Sequence, residues 1–353
     1  MSWKEHVRAV EPYVPGEQPA EKNIIKLNTN ENPYPPAPGV RKALAELQAE
    51  DMRLYPDPTA GLLVEKLAEE YRVKKEQIFV GVGSDDVLAM AFLTFFNGKD
   101  PILFPDVSYS FYEVWADCFR VPYKEIPLTE DWQIDPDDYT VKNGGILFPN
   151  PNAPTGIAMP LDGIRKILDA NRDVVVIVDE AYVDFGAESA LPLLEEYDNL
   201  LVVQTFSKSR SMAGMRIGFA IGNEELIRCL SDVRYSFNSY TMNRPSILAG
   251  AAALEDRAYF RNTVQTIINT RDSVKEELEE MGFFCLDSRA NFLFVTHPDM
   301  AASELFRKLR ERGMYVRYFA RPRIDNYLRI TIGTTKQMQV FLDTVRLILQ
   351  GKR

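Results

Sequence analysis

Three short stretches hold residue types that could do chemistry together. Val80-Gly81-Val82-Gly83-Ser84-Asp85-Asp86 is a glycine-rich turn between an apolar run and a helical pattern, a geometry that turns free backbone N–H groups toward an anion. Asp86 stands where a dinucleotide-binding fingerprint needs its last glycine, and no Gly-x4-Gly-Lys-Ser/Thr occurs in the chain, so both nucleotide-loop readings weaken. Taken alone, the turn reads more readily as a strand-to-helix connection capped by Ser84 or Asp85. The second stretch, Val175-Val-Ile-Val-Asp179-Glu180-Ala181-Tyr182, is an apolar strand ending in an acid with a phenol three residues on. Ligands of parallel sheets sit beyond such strand ends, although Asp179 as a helix cap and Tyr182 as packing explain the pattern equally well. The third is Thr205-Phe206-Ser207-Lys208, followed by Arg216. A lysine in an apolar cleft is a candidate amine nucleophile for an aldehyde, and the hydroxyls and guanidinium suit a phosphate. A lone Ser-Lys pair is more often a solvated basic run.

The elements around these stretches decide between the readings. Gln77–Gly81, Pro101–Phe104, Gly145–Phe148, Val174–Val178, Leu200–Val203 and Ile217–Gly222 read as strands, and helical patterns fall at 86–96, 109–119 and 160–170. Apolar runs without alternation predict strands covered on both faces, hence an α/β fold with a large, doubly wound, mainly parallel sheet. All three stretches then lie along one edge of that sheet. A phosphate cradle, an acid and a lysine on one edge fit an aldehyde on a pyridine ring bearing a phosphate, and pyridoxal 5′-phosphate needs an acid to keep its ring nitrogen protonated.

The proline-rich N-terminal stretch, 1–40, reads as an extended segment that packs on both domains. Residues 41–265 form the expected large cofactor-binding domain. A long charged helix over 259–281 connects it to a smaller C-terminal α+β domain, 266–353, with strands at 291–295, 314–317 and 327–332 and helices at 300–312 and 335–349.

Composition narrows the function classes. The chain has 353 residues, 46% hydrophobic and 26% charged, which excludes a disordered or fibrous protein. With 41 Lys and Arg against 51 Asp and Glu, the net charge of −10 disfavours nucleic acid as a partner. Two histidines, His6 and His297, leave no material for a His-rich metal site or a Ser-His-Asp device. Cys118, Cys229 and Cys285 are isolated, which fits a reducing cytoplasm. No signal peptide or membrane span is expected.

The sequence resembles the fold-type I pyridoxal-phosphate aminotransferases, whose large domain is aspartate aminotransferase-like, and within them the histidinol-phosphate aminotransferases. The resemblance rests on Lys26–Pro33 (KLNTNENP), Leu54–Asp57 (LYPD), Pro149–Gly156 (PNPNAPTG), Val178–Tyr182 (VDEAY), Thr205–Lys208 (TFSK), Ala213–Gly218 (AGMRIG) and Leu328–Gly333 (LRITIG). It implies that Lys208 forms the Schiff base and moves the substrate proton, that Asp179 pairs with the pyridinium nitrogen, and that Tyr182 bonds the ring hydroxyl O3′. Tyr109 is then the aromatic stacked on the ring. The phosphate falls to Ser84, Asp85, Thr205, Ser207, Arg216 and, from a neighbouring subunit of a homodimer, Tyr55. Arg329 is implied as the carboxylate-binding arginine, Arg317 as its partner on a substrate phosphate, with Arg321 and Arg323 competing for that role, and Tyr13 as a closing lid.

Many relatives carry Asn immediately before Pro-Thr-Gly, where it bonds O3′. Here Ala153 occupies that place, and Asn152 is expected to substitute through a shifted backbone. The implied reaction is ping-pong transamination between histidinol phosphate, a small-molecule amino donor, and 2-oxoglutarate, a 2-oxo acid. Aromatic amino-acid transamination and the threonine-phosphate decarboxylases of the same fold are the alternatives.

Overall fold

The computed structural model describes residues 2–21 and 23–351. Its strands are β1 (Ile25–Leu27), β2 (Ile78–Gly81), β3 (Ile102–Pro105), β4 (Tyr123–Ile126), β5 (Ile146–Pro149), β6 (Val176–Asp179), β7 (Leu200–Thr205), β8 (Gly218–Gly222), β9 (Phe284–Cys285), β10 (Phe292–Thr296), β11 (Met314–Tyr318) and β12 (Leu328–Thr331). Seven of them form one sheet in the order β2-β8-β7-β6-β5-β3-β4. Only β8 runs against its neighbours, β2 and β7; the remaining pairs are parallel.

The residues explain the burial. Every position of β3 (Ile-Leu-Phe-Pro), β5 (Ile-Leu-Phe-Pro) and β6 (Val-Ile-Val-Asp) is buried, as helices covering both faces of a parallel sheet require. The helix Leu161–Ala170 lays Ile164, Ile167 and Leu168 against one face, the spacing of a single apolar stripe. On the other face the helix Ser84–Phe95 buries Val87, Leu88, Ala91 and Phe92. It starts two residues earlier than the apolar pattern suggests, so Ser84 and Asp85 sit in its first turn.

Five strands make the second sheet, ordered β1-β11-β12-β10-β9. Part of the proline-rich N-terminal stretch, expected only as extended chain, is strand β1 and pairs in parallel with β11, Ile25 opposite Met314. The helix Arg257–Glu280 is capped by Asp256, whose side chain accepts from Tyr259 N. Its Val264, Ile267, Val274 and Leu278 share an apolar cluster with Leu27, Phe292, Leu328 and Phe341, and the same cluster reaches Ala153 and Tyr182. The small sheet therefore packs against the edge of the large sheet where β5 and β6 end.

Candidate active site

A cavity of about 240 Å³ opens at that edge. Tyr13, Ser84, Asp85, Tyr109, Asp179, Tyr182, Thr205, Ser207, Lys208, Arg216, Arg317 and Arg329 all line it, so most residues singled out in the sequence meet at one place. A roomier cleft of about 610 Å³ lies elsewhere, walled by Glu130, Asp131, Asp287 and Arg289. Its one thiol, Cys285, is buried, and burial pushes its pKa up to about 12, which makes it a poor nucleophile.

Asp179 is the last residue of β6 and almost wholly enclosed, at 4% exposure. Its Oδ2 accepts from Tyr112 OH at 2.8 Å and its Oδ1 from Ala181 N at 3.2 Å. The local capping role and the cavity-facing role thus coexist in one carboxylate. Among the described residues no cation pairs with it, and burial pushes its pKa up to about 6 despite those two donors. A buried carboxylate lacking a cation is costly, and the proton-bearing nitrogen of a pyridine ring in the cavity would supply the missing charge. Glu180, just past the end of the strand, is turned to other partners, Ser189 Oγ, Ala190 N and Gln204 Nε2, with burial raising its pKa to about 7.

Lys208 follows β7 on a tight loop bracketed by the N-terminal segment. Asn32 Nδ2 donates to the carbonyls of Lys208 and Ser209 at 3.1 and 3.2 Å, and Lys208 Nζ donates to Thr29 O at 3.2 Å. The amine lies 5.7 Å from the Tyr182 ring centre. An amine held by a single carbonyl and facing a cavity can attack an aldehyde once it is deprotonated.

The anion cradle is built from three loops. Gly83 (φ +85°) turns the chain into the helix at Ser84, and Arg216 Nη2 reaches across to Asp85 Oδ2 at 2.9 Å. Tyr109 OH donates to Asp85 Oδ1 at 2.8 Å; Thr205 Oγ1 donates to Ser207 Oγ at 3.0 Å. Helix-terminal N–H groups, two hydroxyls and a guanidinium suit a phosphate. Asp85 contributes a carboxylate here as well as its amide. Gly218 makes the cradle possible, because a methyl group there would stand 2.2 Å from Gly83 C and Ser84 N. Gly218→Ala is expected to push the Gly83–Ser84 loop out of place and weaken cofactor binding about 10- to 100-fold, as measured by titrating the absorbance of bound pyridoxal phosphate. An unchanged affinity would mean that the cradle does not hold the phosphate.

Arg317 on β11 and Arg329 on β12 are directly opposite each other in register. Arg329 Nη2 donates to Asn28 O at 3.0 Å, while its buried Nε has no partner. Burial, with Arg317 beside it, pushes the Arg329 pKa down. Neither arginine has an ion pair among the described residues. Arg321 and Arg323 are spoken for: Arg321 Nη2 pairs with Glu113 at 2.9 Å and Arg323 Nη1 with Asp106 at 2.6 Å. Of the three competing arginines, only Arg317 enters the cavity. Tyr13 stacks on Phe111 at 4.2 Å and meets Tyr109 edge-on at 6.2 Å, closing one wall.

Two expected residues are not brought to the cavity. Asn152 does not substitute at the position of Ala153: its Nδ2 donates to Val107 O and Thr155 Oγ1 at 2.9 and 3.1 Å, and its Oδ1 is buried without a partner. The backbone N–H of Asn152 donates to Ile157 O at 2.8 Å, and Ala153, not Asn152, lines the cavity. Tyr55 is 77% exposed and stacks on Tyr240 at 4.5 Å, away from the cavity of its own chain. Sequence reasoning missed Tyr112 and Asn30. Tyr112 lies within the same aromatic stretch as Tyr109, but its approach to Asp179 depends on packing between helix and sheet.

The family described as "Aminotransferase class I and II" matches residues 22–345. A histidinol-phosphate aminotransferase of Brachyspira hyodysenteriae is 51% identical over 345 residues, covering 98% of each chain. One of Acinetobacter baylyi is 52% identical over 350 residues, covering 98% of this chain and 97% of the relative. The fold is similar to a histidinol-phosphate aminotransferase from Sinorhizobium meliloti solved in complex with pyridoxal-5′-phosphate, with a TM-score of 0.85 at 22% identity over 93% of this chain and 91% of that one. An L-threonine-O-3-phosphate decarboxylase from Porphyromonas gingivalis shares the fold with a TM-score of 0.79 at 23% identity over 93% of this chain and 100% of that one.

Proposed function

The chain belongs to the class I and II aminotransferases, and from that premise we propose that it transfers the amino group of histidinol phosphate to 2-oxoglutarate, with pyridoxal 5′-phosphate as cofactor, in the biosynthesis of histidine. The observation that carries the substrate class is the Arg317–Arg329 pair. Two guanidiniums opposite each other on neighbouring strands, neither with an ion pair among the described residues, repel unless an anion joins them. A substrate phosphate, or in the second half of the reaction a dicarboxylate, meets that need.

When bound, the cofactor supplies an electron-withdrawing pyridinium that no side chain can replace. Asp179 holds the positive charge on the ring nitrogen. Tyr182 offers its O–H to the ring hydroxyl oxygen, Tyr109 bounds the ring face, and the Ser84, Thr205, Ser207 and Arg216 groups grip the phosphate. Lys208 Nζ would take the proton from the substrate α-carbon as general base and return it, as acid, to the carbon on the far side of the bridging nitrogen. Tyr13 and Phe111 wall the reacting atoms from water.

Initial rates with histidinol phosphate, phenylalanine and threonine phosphate as amino donors, with carbon dioxide release measured alongside, test the assignment. Histidinol phosphate is expected to be preferred, with consumption of 2-oxoglutarate and no carbon dioxide; preference for phenylalanine would reject it. Arg317→Ala should lower kcat/KM for histidinol phosphate about 10- to 100-fold, the worth of a charged hydrogen bond. Unphosphorylated histidinol should be affected only about threefold or less. An equal loss on both donors would remove Arg317 from the phosphate.

A homodimer with shared sites is part of this reading. The stretch around Met52, Leu54 and Tyr55 packs on the stretch around Phe237 and Tyr240 through the Tyr55–Tyr240 stack, and all five side chains are exposed. An apolar surface of that kind supports a second copy covering it. Residues 1–40 serving both domains are supported by β1 in the small sheet and Asn32 at Lys208. The boundary near 265 is supported by the long helix changing partners there, with Tyr259 in the cluster around Leu63 and Val264 onward in the small-sheet cluster. The three cysteines are free thiols, in keeping with a cytoplasmic setting, and no helix among the described residues is long and apolar enough to cross a membrane.

A further inference from the structure

We infer that Asn30, carried by the N-terminal segment just after β1, is the positioning residue for the Tyr182 phenol, filling the role that the apolar Ala153 leaves open. The proposal rests on Tyr182 meeting the cofactor's ring hydroxyl. Asn30 is 1% exposed, and both it and Ala153 line the cavity. Its Nδ2 donates to Tyr182 OH at 2.9 Å.

The remaining contacts agree with the direction of that bond. Asn30 N donates to Thr331 Oγ1 at 3.0 Å, and the Thr331 hydroxyl donates to Asn30 Oδ1, also at 3.0 Å. With the amide oxygen accepting from Thr331, the NH2 group faces Tyr182. The Tyr182 oxygen therefore accepts, and its own O–H is left to donate into the cavity. Hydrogen bonds in series strengthen one another, so Tyr182 is a better and better-aimed donor than an isolated phenol.

The backbone is held to this purpose. Asn30 sits at φ +55°, a left-handed conformation that few residues other than Gly, Asn and Asp adopt readily. Asn291 Nδ2 clamps its carbonyl at 3.0 Å. Every partner except Tyr182 belongs to the small-sheet side of the cavity, and Thr331 lies two residues from Arg329 on β12. The strand that carries the substrate arginine is thus connected by Thr331 and Asn30 to the phenol on the cofactor side.

The test uses the holoenzyme and follows the absorbance of bound pyridoxal phosphate against pH. Donation to the ring oxygen stabilises its negative charge, so a weaker donor makes that oxygen hold the neighbouring proton more tightly and raises the midpoint. Tyr182→Phe should raise the midpoint, and Asn30→Ala should raise it by about 0.5 to 1 pH unit. In a Tyr182→Phe background, Asn30→Ala should add nothing. If Asn30→Ala lowers thermal stability but leaves the midpoint in place, or shifts it equally without the phenol, the inference is overturned. Thr331→Val, which releases the amide orientation while keeping Asn30, should shift the midpoint in the same direction; no shift overturns the inference even where Asn30→Ala does not fold. A midpoint unmoved by Tyr182→Phe would instead overturn the reading of the site on which this rests.

Discussion

Lys208→Ala should lower the amino-transfer rate by a factor of about 10⁴ or more while leaving the fold intact. The proposed mechanism gives Lys208 the two tasks that cost most to lose, covalent capture of the cofactor and proton transfer at the substrate carbon, and positioned proton transfer alone is worth about 10² to 10⁴. The side chain makes one hydrogen bond, to Thr29 O, so its removal leaves a single carbonyl short of a donor. The check is in three parts: steady-state rate, thermal midpoint, and irreversible fixation of the cofactor by borohydride. Fixation in Lys208→Ala equal to wild type would mean that another amine carries the aldehyde.

Asp179→Asn gives the second large effect, and in two opposite directions. In the loaded enzyme it would remove the anion proposed to face the ring nitrogen, and breaking a buried ionic partnership costs about 3 to 5 kcal/mol, which predicts a fall in kcat on the order of 10²- to 10³-fold. In the cofactor-free protein it removes a burden. Asp179 holds its proton up to about pH 6 against an ordinary value of 3.8. A carboxyl with a raised folded-state pKa contributes stability below its ordinary pKa and loses it as pH rises through the folded value. The cofactor-free wild type should therefore lose about 3 kcal/mol of stability between about pH 4 and pH 6 from this group, and Asp179→Asn should remove that part of the slope. Glu180, raised to about 7, contributes a second slope common to both proteins. Chemical denaturation of both cofactor-free proteins at a series of pH values measures the difference, and parallel curves would show that Asp179 is not strained by its burial.

What could be read from the chain follows from how local each signal is. Val176–Asp179 is an unbroken apolar run with an acid at its end, so strand, burial and ligand-facing position are all written in four residues. Tyr123–Ile126, a strand with two exposed charged residues at the sheet edge, has no such pattern and does not stand out. The same divide separates the site residues. Lys208, Asp179 and Arg216 lie at strand ends or in the loops beside them and were visible there. The competition among Arg317, Arg321 and Arg323 was settled only by Glu113 and Asp106, residues about 200 positions away. Asn30 meets Tyr182 across 152 positions, and its neighbours in sequence say nothing of that contact. Asn152 stays out of the cavity for the complementary reason: its amide is committed to Val107 O and Thr155 Oγ1.

The Asn30–Thr331 contact also sets a clock. The two residues are 301 positions apart, and β1 likewise waits for Met314 to Val316. During synthesis at about 5 to 20 residues per second, the N-terminal segment exists for about 15 to 60 s before its partners have been made. The large sheet can assemble in that interval, with Lys208 and Asp179 already in place. The site is completed only when the segment around Asn30 meets Thr331, made 301 positions later.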